Sequence, residues 1–158
     1  MRVILQRVLR AAVSVNAQIV SEIKQGIVLL VGITHTDTHA QADGLAKKIA
    51  GLRIFPAVDG ASGFDRSLLD VGGGVLCISQ FTVYGETQKG RRPDFIQAAK
   101  PEVAAPLIEY FVAQLRAQGL PVQTGVFGAD MQVELVNDGP VTLVLENEPI
   151  TNTHQAAN

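Results

Sequence analysis

The chain contains the apolar run Gly74-Val75-Leu76-Cys77-Ile78, followed directly by the polar and aromatic stretch Ser79-Gln80-Phe81-Thr82. The unbroken apolar run predicts a strand buried on both faces. Hydroxyl, amide and aromatic side chains therefore follow at the point where the strand emerges, which is a common place for a functional site. A second polar stretch, Asn137-Asp138-Gly139-Pro140-Val141-Thr142, lies near the other end of the chain.

Length and composition limit the number of domains that the chain can form. The chain has 158 residues, of which 47% are hydrophobic, and this is enough for one domain with a substantial core. We expect a single domain over residues 1–147 and a flexible C-terminal tail over residues 148–158, where the apolar pattern stops. The net charge of −2 does not by itself indicate nucleic-acid binding.

The N-terminal segment is rich in strand-like patterns. Apolar runs recur from Val3 to Ile33, and the simplest arrangement is an antiparallel meander. The unbroken run from Ile27 to Val31 predicts a central strand covered on both faces. Asn16-Ala17 is a plausible tight connection between two of these strands.

Two helices are predicted. Thr38 and Gln41 match the capping-box pattern, and apolar residues at helical spacing follow up to Gly51. A second helix is expected from about Val103 to Gln118, with Val103, Leu107, Ile108, Phe111 and Leu115 on one face. Because proline is tolerated only where its missing N–H has no intrahelical role, Pro106 is expected within the first turn of that helix.

The second polar stretch lies between two alternating patterns, Val133/Leu135 and Val141/Leu143/Leu145, which predict two strands. Asp138-Gly139 between them is a strong hairpin signal. Pro140, however, lacks the N–H that would close a two-residue turn from Asn137. The connection is therefore predicted to be wider or distorted, with the Gly139-Pro140 peptide exposed.

No group in the sequence is an obvious catalyst. There is no GxSxG motif, and no histidine or carboxylate is placed beside Ser79 or Thr82, so these hydroxyls could equally bond local backbone. His35 and His39 have no third ligand in a recognisable pattern, so no metal and no cofactor are predicted. The lone cysteine, Cys77, lies within an apolar run and is expected to be an inert core thiol.

The Ser79–Thr82 and Asn137–Thr142 stretches together resemble the D-aminoacyl-tRNA deacylase family, and the resemblance extends from Met1 to about Glu146. It implies an α+β fold with an antiparallel or mixed, barrel-like β-sheet core and two main helices packed on it. It also implies a hydrolase that cleaves the ester of D-aminoacyl-tRNA, and of mischarged glycyl-tRNA, as chiral proofreading in translation.

The resemblance further implies roles for individual residues. Ser79, Gln80, Phe81 and Thr82 would form the catalytic pocket, where backbone N–H groups bind the substrate carbonyl and Phe81 packs near the terminal adenine. Gly139 and Pro140 match a cis dipeptide that enters the site of the partner subunit in a homodimer and rejects L-amino acids. The predicted contacts with the tRNA 3′ end are Lys89, Arg91, Arg92 and Arg7, although a smaller polar residue is expected in place of Arg91.

Two other functions fit the same residues. One is a noncatalytic module that binds the tRNA end through its basic loop, and the other is a small-molecule esterase that uses Thr82. Whether Thr82 is a nucleophile or only a hydrogen-bonding wall stays open at this point. With no N-terminal signal and no apolar run long enough to span a bilayer, a cytoplasmic protein without membrane contact is expected.

Overall fold

The computed structural model describes residues 1–60, 63–88 and 90–147. Its main sheet has six strands: β1 (Arg2–Val15), β2 (Gln18–Ile23), β3 (Gly26–Gly32), β6 (Gly74–Ser79), β7 (Val122–Thr124) and β8 (Gln132–Glu146). A small two-stranded sheet is formed by β4 (Arg53–Phe55) and β5 (Arg66–Ser67). The helices are α1 (His39–Gly51), α2 (Leu68–Val71), α3 (Pro101–Ala117) and the 3₁₀ helix Phe81–Tyr84. The predicted tail, 148–158, lies outside the described residues.

The predicted meander is wrong, because β1 and not β2 is central. One edge of β1 pairs with β8, while the other edge pairs first with β3 and then with β2, all antiparallel. Strands β3, β6 and β7 are parallel to one another, so the sheet is mixed. The Ser21 hydroxyl on β2 donates to the Thr124 carbonyl on β7 at 2.7 Å, which brings the two ends of the sheet together. This nearly closed, barrel-like sheet confirms the predicted fold class.

Both faces of the sheet are buried at its centre, in β3 and β6. Alternate residues of β3 belong to two hydrophobic clusters: Ile27, Leu29 and Val31 face the helices, whereas Val28 faces the barrel interior. This arrangement explains the unbroken apolar runs of β3 and β6, as predicted. The tight connection after β1 is also confirmed, since Asn16 and Ala17 have φ of 51° and 61°, typical of a type I′ turn.

The two long helices form as expected, with one correction. Thr38 caps α1 in a capping box with Gln41, and its buried face is the predicted one. Helix α3 begins two residues earlier than expected, with Pro101 in its first position, so Pro106 lies beyond the first turn and Val103 is exposed. Its buried face consists of Leu107, Ile108, Phe111, Val112 and Leu115. None of the helices in the described ranges is long and apolar enough to cross a membrane.

The two strands predicted on either side of Asn137–Thr142 are one strand, β8, which pairs with β1 along almost its whole length. Gln6 of β1 lies opposite Thr142, but Val8 already lies opposite Asn137. The residues between them, Asp138–Val141, therefore form a bulge opposite Arg7, which we call the β8 bulge. The hairpin signal was misleading because the same local residues serve a bulge within a continuous strand.

Candidate active site

A pocket of about 560 Å³ opens where β6 ends. Its floor is formed by the ends of β3 and β6, and its sides by the first half of α3 and the segment 127–131. The lining is mainly apolar and includes Ser79, Gln80, Phe81, Phe95, Phe127 and Met131. Three of the four predicted pocket residues thus lie together on its wall, whereas Thr82 is not part of the lining.

The segment that follows β6 is held in place by main-chain hydrogen bonds. The Gln80 N–H donates to the Val31 carbonyl at 2.8 Å, which extends the parallel pairing one residue past β6. The chain then turns into the 3₁₀ helix, in which the Val83 N–H donates to the Gln80 carbonyl at 3.2 Å. Phe81 and Thr82 begin this helix, so their N–H groups have no partner within it and can bind an acceptor.

Neighbouring elements fix the 3₁₀ helix from both sides. Arg2 of β1 donates to the Val83 carbonyl at 3.0 Å, pairs with Glu146 of β8 and lies 4.8 Å from the centre of the buried Tyr84 ring. Phe81 is 58% exposed and meets Phe95 edge-to-face, with 5.0 Å between ring centres. An exposed aromatic side chain at the mouth of a pocket is suited to stacking on a nucleobase.

In the described ranges neither the Ser79 nor the Thr82 hydroxyl is hydrogen-bonded to a histidine or carboxylate, and Asp130 is the carboxylate in the pocket lining. Gln80 Nε2 donates to Thr82 Oγ1. His35 instead contacts the Ile96 carbonyl, and His39 stacks on Tyr110. This arrangement favours Thr82 as a polar wall over Thr82 as an activated nucleophile.

The free thiol of Cys77 is buried in the core. Burial raises the pKa of the Cys77 thiol to about 12, so it stays protonated and unreactive at neutral pH, in agreement with the expected core thiol. Among the residues that the structure describes, no three His, Cys, Asp or Glu side chains are grouped so as to hold a metal ion.

The β8 bulge is shaped by side chains. Asn137 accepts from the Val141 N–H at 2.8 Å and donates to Thr142 Oγ1 at 3.0 Å, which closes the bulge across its base. The Gly139-Pro140 peptide is cis, and both residues are exposed, as predicted. Gly139 has a φ of 126°, and a Cβ atom there would approach Val141 Cγ2 to 2.8 Å, so the position requires glycine.

Arg7 lies beneath this bulge and is 8% exposed. Its Nε lies 3.1 Å from both the carbonyl and a carboxylate oxygen of Asp138, and its Nη1 donates to the Ile54 carbonyl. The guanidinium also lies 5.8 Å from the centre of the Phe55 ring. The structure therefore places Arg7 in a buried network within the protein, and not on the surface where a phosphate would bind.

The other predicted basic residues are distributed differently. Arg91 and Arg92 are exposed in a loop closed by reciprocal backbone hydrogen bonds between Glu86 and Asp94, and they form no ion pair in the described part of the chain. Asp94 immediately precedes Phe95, so this basic loop emerges at the rim of the pocket. Lys89 lies outside the described residues.

The pocket wall between β7 and β8 was missed by sequence analysis. This segment, 125–131, contributes Phe127, Gly128, Ala129, Asp130 and Met131 to the lining. Its signal was an aromatic residue between two glycines, Gly125-Val126-Phe127-Gly128, in a stretch without periodicity. Phe95 was also missed, because only its packing on Phe81 reveals its role.

Within one chain the β8 bulge and the pocket lie far apart. Ser79 pairs with Val31 of β3, and Val31 pairs with Val3 of β1, whereas the bulge lies opposite Arg7 across the other edge of β1. The separation is therefore about 13 Å along the strands and about 14 Å across three strand spacings of the sheet. None of the residues of the bulge lines the pocket of the same chain.

Comparison with known proteins identifies the family. The family model described as D-Tyr-tRNA(Tyr) deacylase matches residues 4–146. The D-aminoacyl-tRNA deacylase of Chloroflexus aurantiacus is 52% identical over 158 residues, which cover 100% of this chain and 98% of that protein. The D-aminoacyl-tRNA deacylase of Exiguobacterium sibiricum is 58% identical over 146 residues, which cover 92% of this chain and 99% of that protein.

Solved structures agree with this fold. A structure titled c-Myc DNA unwinding element binding protein has a TM-score of 0.87 and 39% identity, and covers 94% of this chain and 100% of that one. A structure titled as that of a probable eukaryotic D-amino acid tRNA deacylase has a TM-score of 0.79 and 20% identity. It covers 91% of this chain and 97% of that one, which shows a common fold. The chain belongs to the D-Tyr-tRNA(Tyr) deacylase family.

Proposed function

We propose that this protein hydrolyses the ester bond of D-aminoacyl-tRNA, and of mischarged glycyl-tRNA, in the cytoplasm. The observation that carries the proposal is the pocket at Ser79, Gln80 and Phe81, which combines the start of the 3₁₀ helix with aromatic walls and in which, within the described ranges, the Thr82 hydroxyl is hydrogen-bonded to Gln80 and to no histidine or carboxylate. Such a site suits a substrate that is already activated, because an aminoacyl ester carries an adjacent ammonium group and a ribose 2′-hydroxyl.

In the proposed reaction, water attacks the ester carbonyl carbon and the ribose oxygen leaves, which gives free D-amino acid and tRNA. The N–H groups at the start of the 3₁₀ helix stabilise the developing oxyanion, while the substrate 2′-hydroxyl assists proton transfer. Phe81 packs on the terminal adenine, and Gln80 holds Thr82 as a polar wall. The exposed Arg91 and Arg92 contact the tRNA backbone, together with Lys89.

Rejection of L-amino acids is proposed to need two chains. The β8 bulge is not part of the pocket lining of its own chain, and its Gly139-Pro140 peptide is exposed. In a homodimer the bulge of one subunit would form part of the pocket wall of the other subunit. An L side chain would then clash with the bulge, while a D side chain would point outward. Glycine, which has no side chain, would be accepted. Arg7 then serves this site by holding the bulge through Asp138, and not by binding tRNA.

The test is deacylation of matched D-tyrosyl-tRNA and L-tyrosyl-tRNA by the purified protein. We expect hydrolysis of the D-ester and of glycyl-tRNA, with the L-ester stable. Binding without turnover would indicate a noncatalytic tRNA-end-binding module. Equal hydrolysis of simple esters that lack a 2′-hydroxyl would instead indicate a small-molecule esterase.

A further inference from the structure

A second cavity, of about 260 Å³, lies beside the candidate active site. The two cavities share Ser79, Ile108 and Phe127 in their walls. We call the second cavity the side pocket. Phe127 is 41% exposed and lines both spaces, so its side chain lies where the two cavities adjoin.

Two opposite charges line the side pocket. Glu109 and Arg116 lie on α3 seven residues apart, which is two helical turns and therefore the same face. Arg116 Nη2 donates to the Val122 carbonyl at 2.9 Å, which fixes its guanidinium against β7. Neither residue forms an ion pair within the described ranges, so the Glu109 carboxylate and the remaining N–H groups of Arg116 are available to a ligand.

We propose that the side pocket binds the cytosine of the penultimate tRNA nucleotide. This inference rests on the proposed function, because the acceptor end of tRNA is a single strand ending in CCA whose terminal adenosine would occupy the neighbouring active site. Single-stranded bases are recognised by stacking on aromatic side chains and by hydrogen bonds to their edges. Phe127 offers the stacking surface.

The hydrogen-bonding groups match this base. A carboxylate only accepts and a guanidinium only donates. Cytosine presents an amino group next to a ring nitrogen and a carbonyl oxygen, so its amino group faces Glu109 while its two acceptors face Arg116. Uracil places a carbonyl oxygen where cytosine has the amino group, and that oxygen would be repelled by the Glu109 carboxylate. The side pocket thereby favours substrates with a cytosine before the terminal adenosine, as in a tRNA end, independently of the attached amino acid.

The experiment compares RNA minihelices that end in CCA or CUA and are chemically charged with D-tyrosine. Wild-type protein should hydrolyse the CCA substrate with a kcat/KM about tenfold or more above that for the CUA substrate. This is the difference expected when the hydrogen bonds to one base edge are lost. Glu109→Gln should narrow the difference between the two substrates, because the glutamine amide can donate to the uracil carbonyl oxygen, while the uracil N3–H still faces Arg116. Arg116→Ala should lower kcat/KM for both RNA substrates.

D-Tyrosyl-adenosine, which lacks the penultimate nucleotide, separates this inference from the proposed function. Its hydrolysis should be unaffected by Glu109→Gln, and Glu102→Gln, in the first turn of α3 and outside both cavities, is the matched control. Equal wild-type rates on CCA and CUA, or an equal loss on both in Glu109→Gln, would overturn the side-pocket assignment while leaving the proposed function in place. Absence of hydrolysis of every substrate, D-tyrosyl-adenosine included, would overturn the proposed function and the assignment with it.

Discussion

The segment Ser79–Tyr84 and the β8 bulge are both polar interruptions of strands, yet they are held in different ways. Main-chain hydrogen bonds to β3 and within the 3₁₀ helix, with one side-chain bond from Arg2, position the first. Side chains of Arg7 and Asn137 position the second. Consequently, substitutions of side chains should change the shape of the bulge more than the shape of the strand-end segment. Each prediction below tests a part of that difference.

The largest effect is expected from Arg7→Ala. This change leaves the Ile54 and Asp138 carbonyls and the Asp138 carboxylate without their buried partner, which should reduce the free energy of unfolding by about 3 kcal/mol. Urea denaturation measures this loss. Arg10→Ala is the matched control on the same strand, because the Arg10–Glu134 pair is exposed and should contribute less than about 1 kcal/mol. Similar losses for both variants would show that Arg7 does not hold the bulge.

A smaller effect on stability is expected from Asn137→Ala, which removes the bonds to the Val141 N–H and to Thr142. The loss should be about 1 kcal/mol. The loosened bulge should also let L-tyrosyl-tRNA be hydrolysed, while the rate on D-tyrosyl-tRNA changes little. Asn137→Asp retains the acceptor for Val141 and should retain most of the discrimination. If D/L selectivity is unchanged in Asn137→Ala, the bulge is not what rejects L-amino acids.

The basic loop should affect binding and not selectivity. Replacing Arg91 and Arg92 by alanine should weaken tRNA binding equally for every attached amino acid, and should reduce the salt dependence of log K by about 1 per lost phosphate contact. Lys47→Ala/Lys48→Ala, two exposed charges on α1 away from the pocket, should leave both quantities unchanged. A collapse of D/L selectivity with an unaltered salt slope would place the loop inside the pocket.

The smallest effect on catalysis is expected from Thr82→Ala. Because the Thr82 hydroxyl accepts from Gln80 and has no base beside it, its loss should lower kcat less than about tenfold. A loss of about 10⁴-fold or more would instead indicate an obligate nucleophile, and a burst of product would then be expected in rapid-mixing experiments.

Sequence alone predicted the features that depend on local chemistry. The Thr38 capping box, the Asn16-Ala17 turn and the buried strand before Ser79 follow from hydrogen-bonding groups, backbone preferences and apolar runs within a few residues. The exposed Gly139-Pro140 peptide was also predictable, because proline cannot close a two-residue turn.

Features that depend on distant contacts were not predictable. The order of strands around β1 is decided by pairings across the whole chain, and β8 is one strand only because β1 is long enough to pair on both sides of the bulge. Arg7 was predicted to contact tRNA, yet Arg2, Arg7 and Arg10 all pair with carboxylates of β8, which lies more than 120 residues away in sequence. The Phe127 wall likewise becomes visible only once β7 places it beside the end of β6.

The central claim, that each site combines the strand-end segment of one chain with the β8 bulge of another, is tested by subunit mixing. A chain with Gln80→Ala/Phe81→Ala, which removes the Phe81 aromatic wall and is expected to be inactive as a homodimer, is co-expressed with a chain carrying Asn137→Ala, and the differently tagged heterodimer is isolated. If the bulge acts across the interface, the heterodimer contains one wholly intact site and one doubly defective site. It should then hydrolyse D-tyrosyl-tRNA and spare L-tyrosyl-tRNA. If the heterodimer hydrolyses both esters, as the Asn137→Ala homodimer does, the bulge acts within its own chain and the account is wrong.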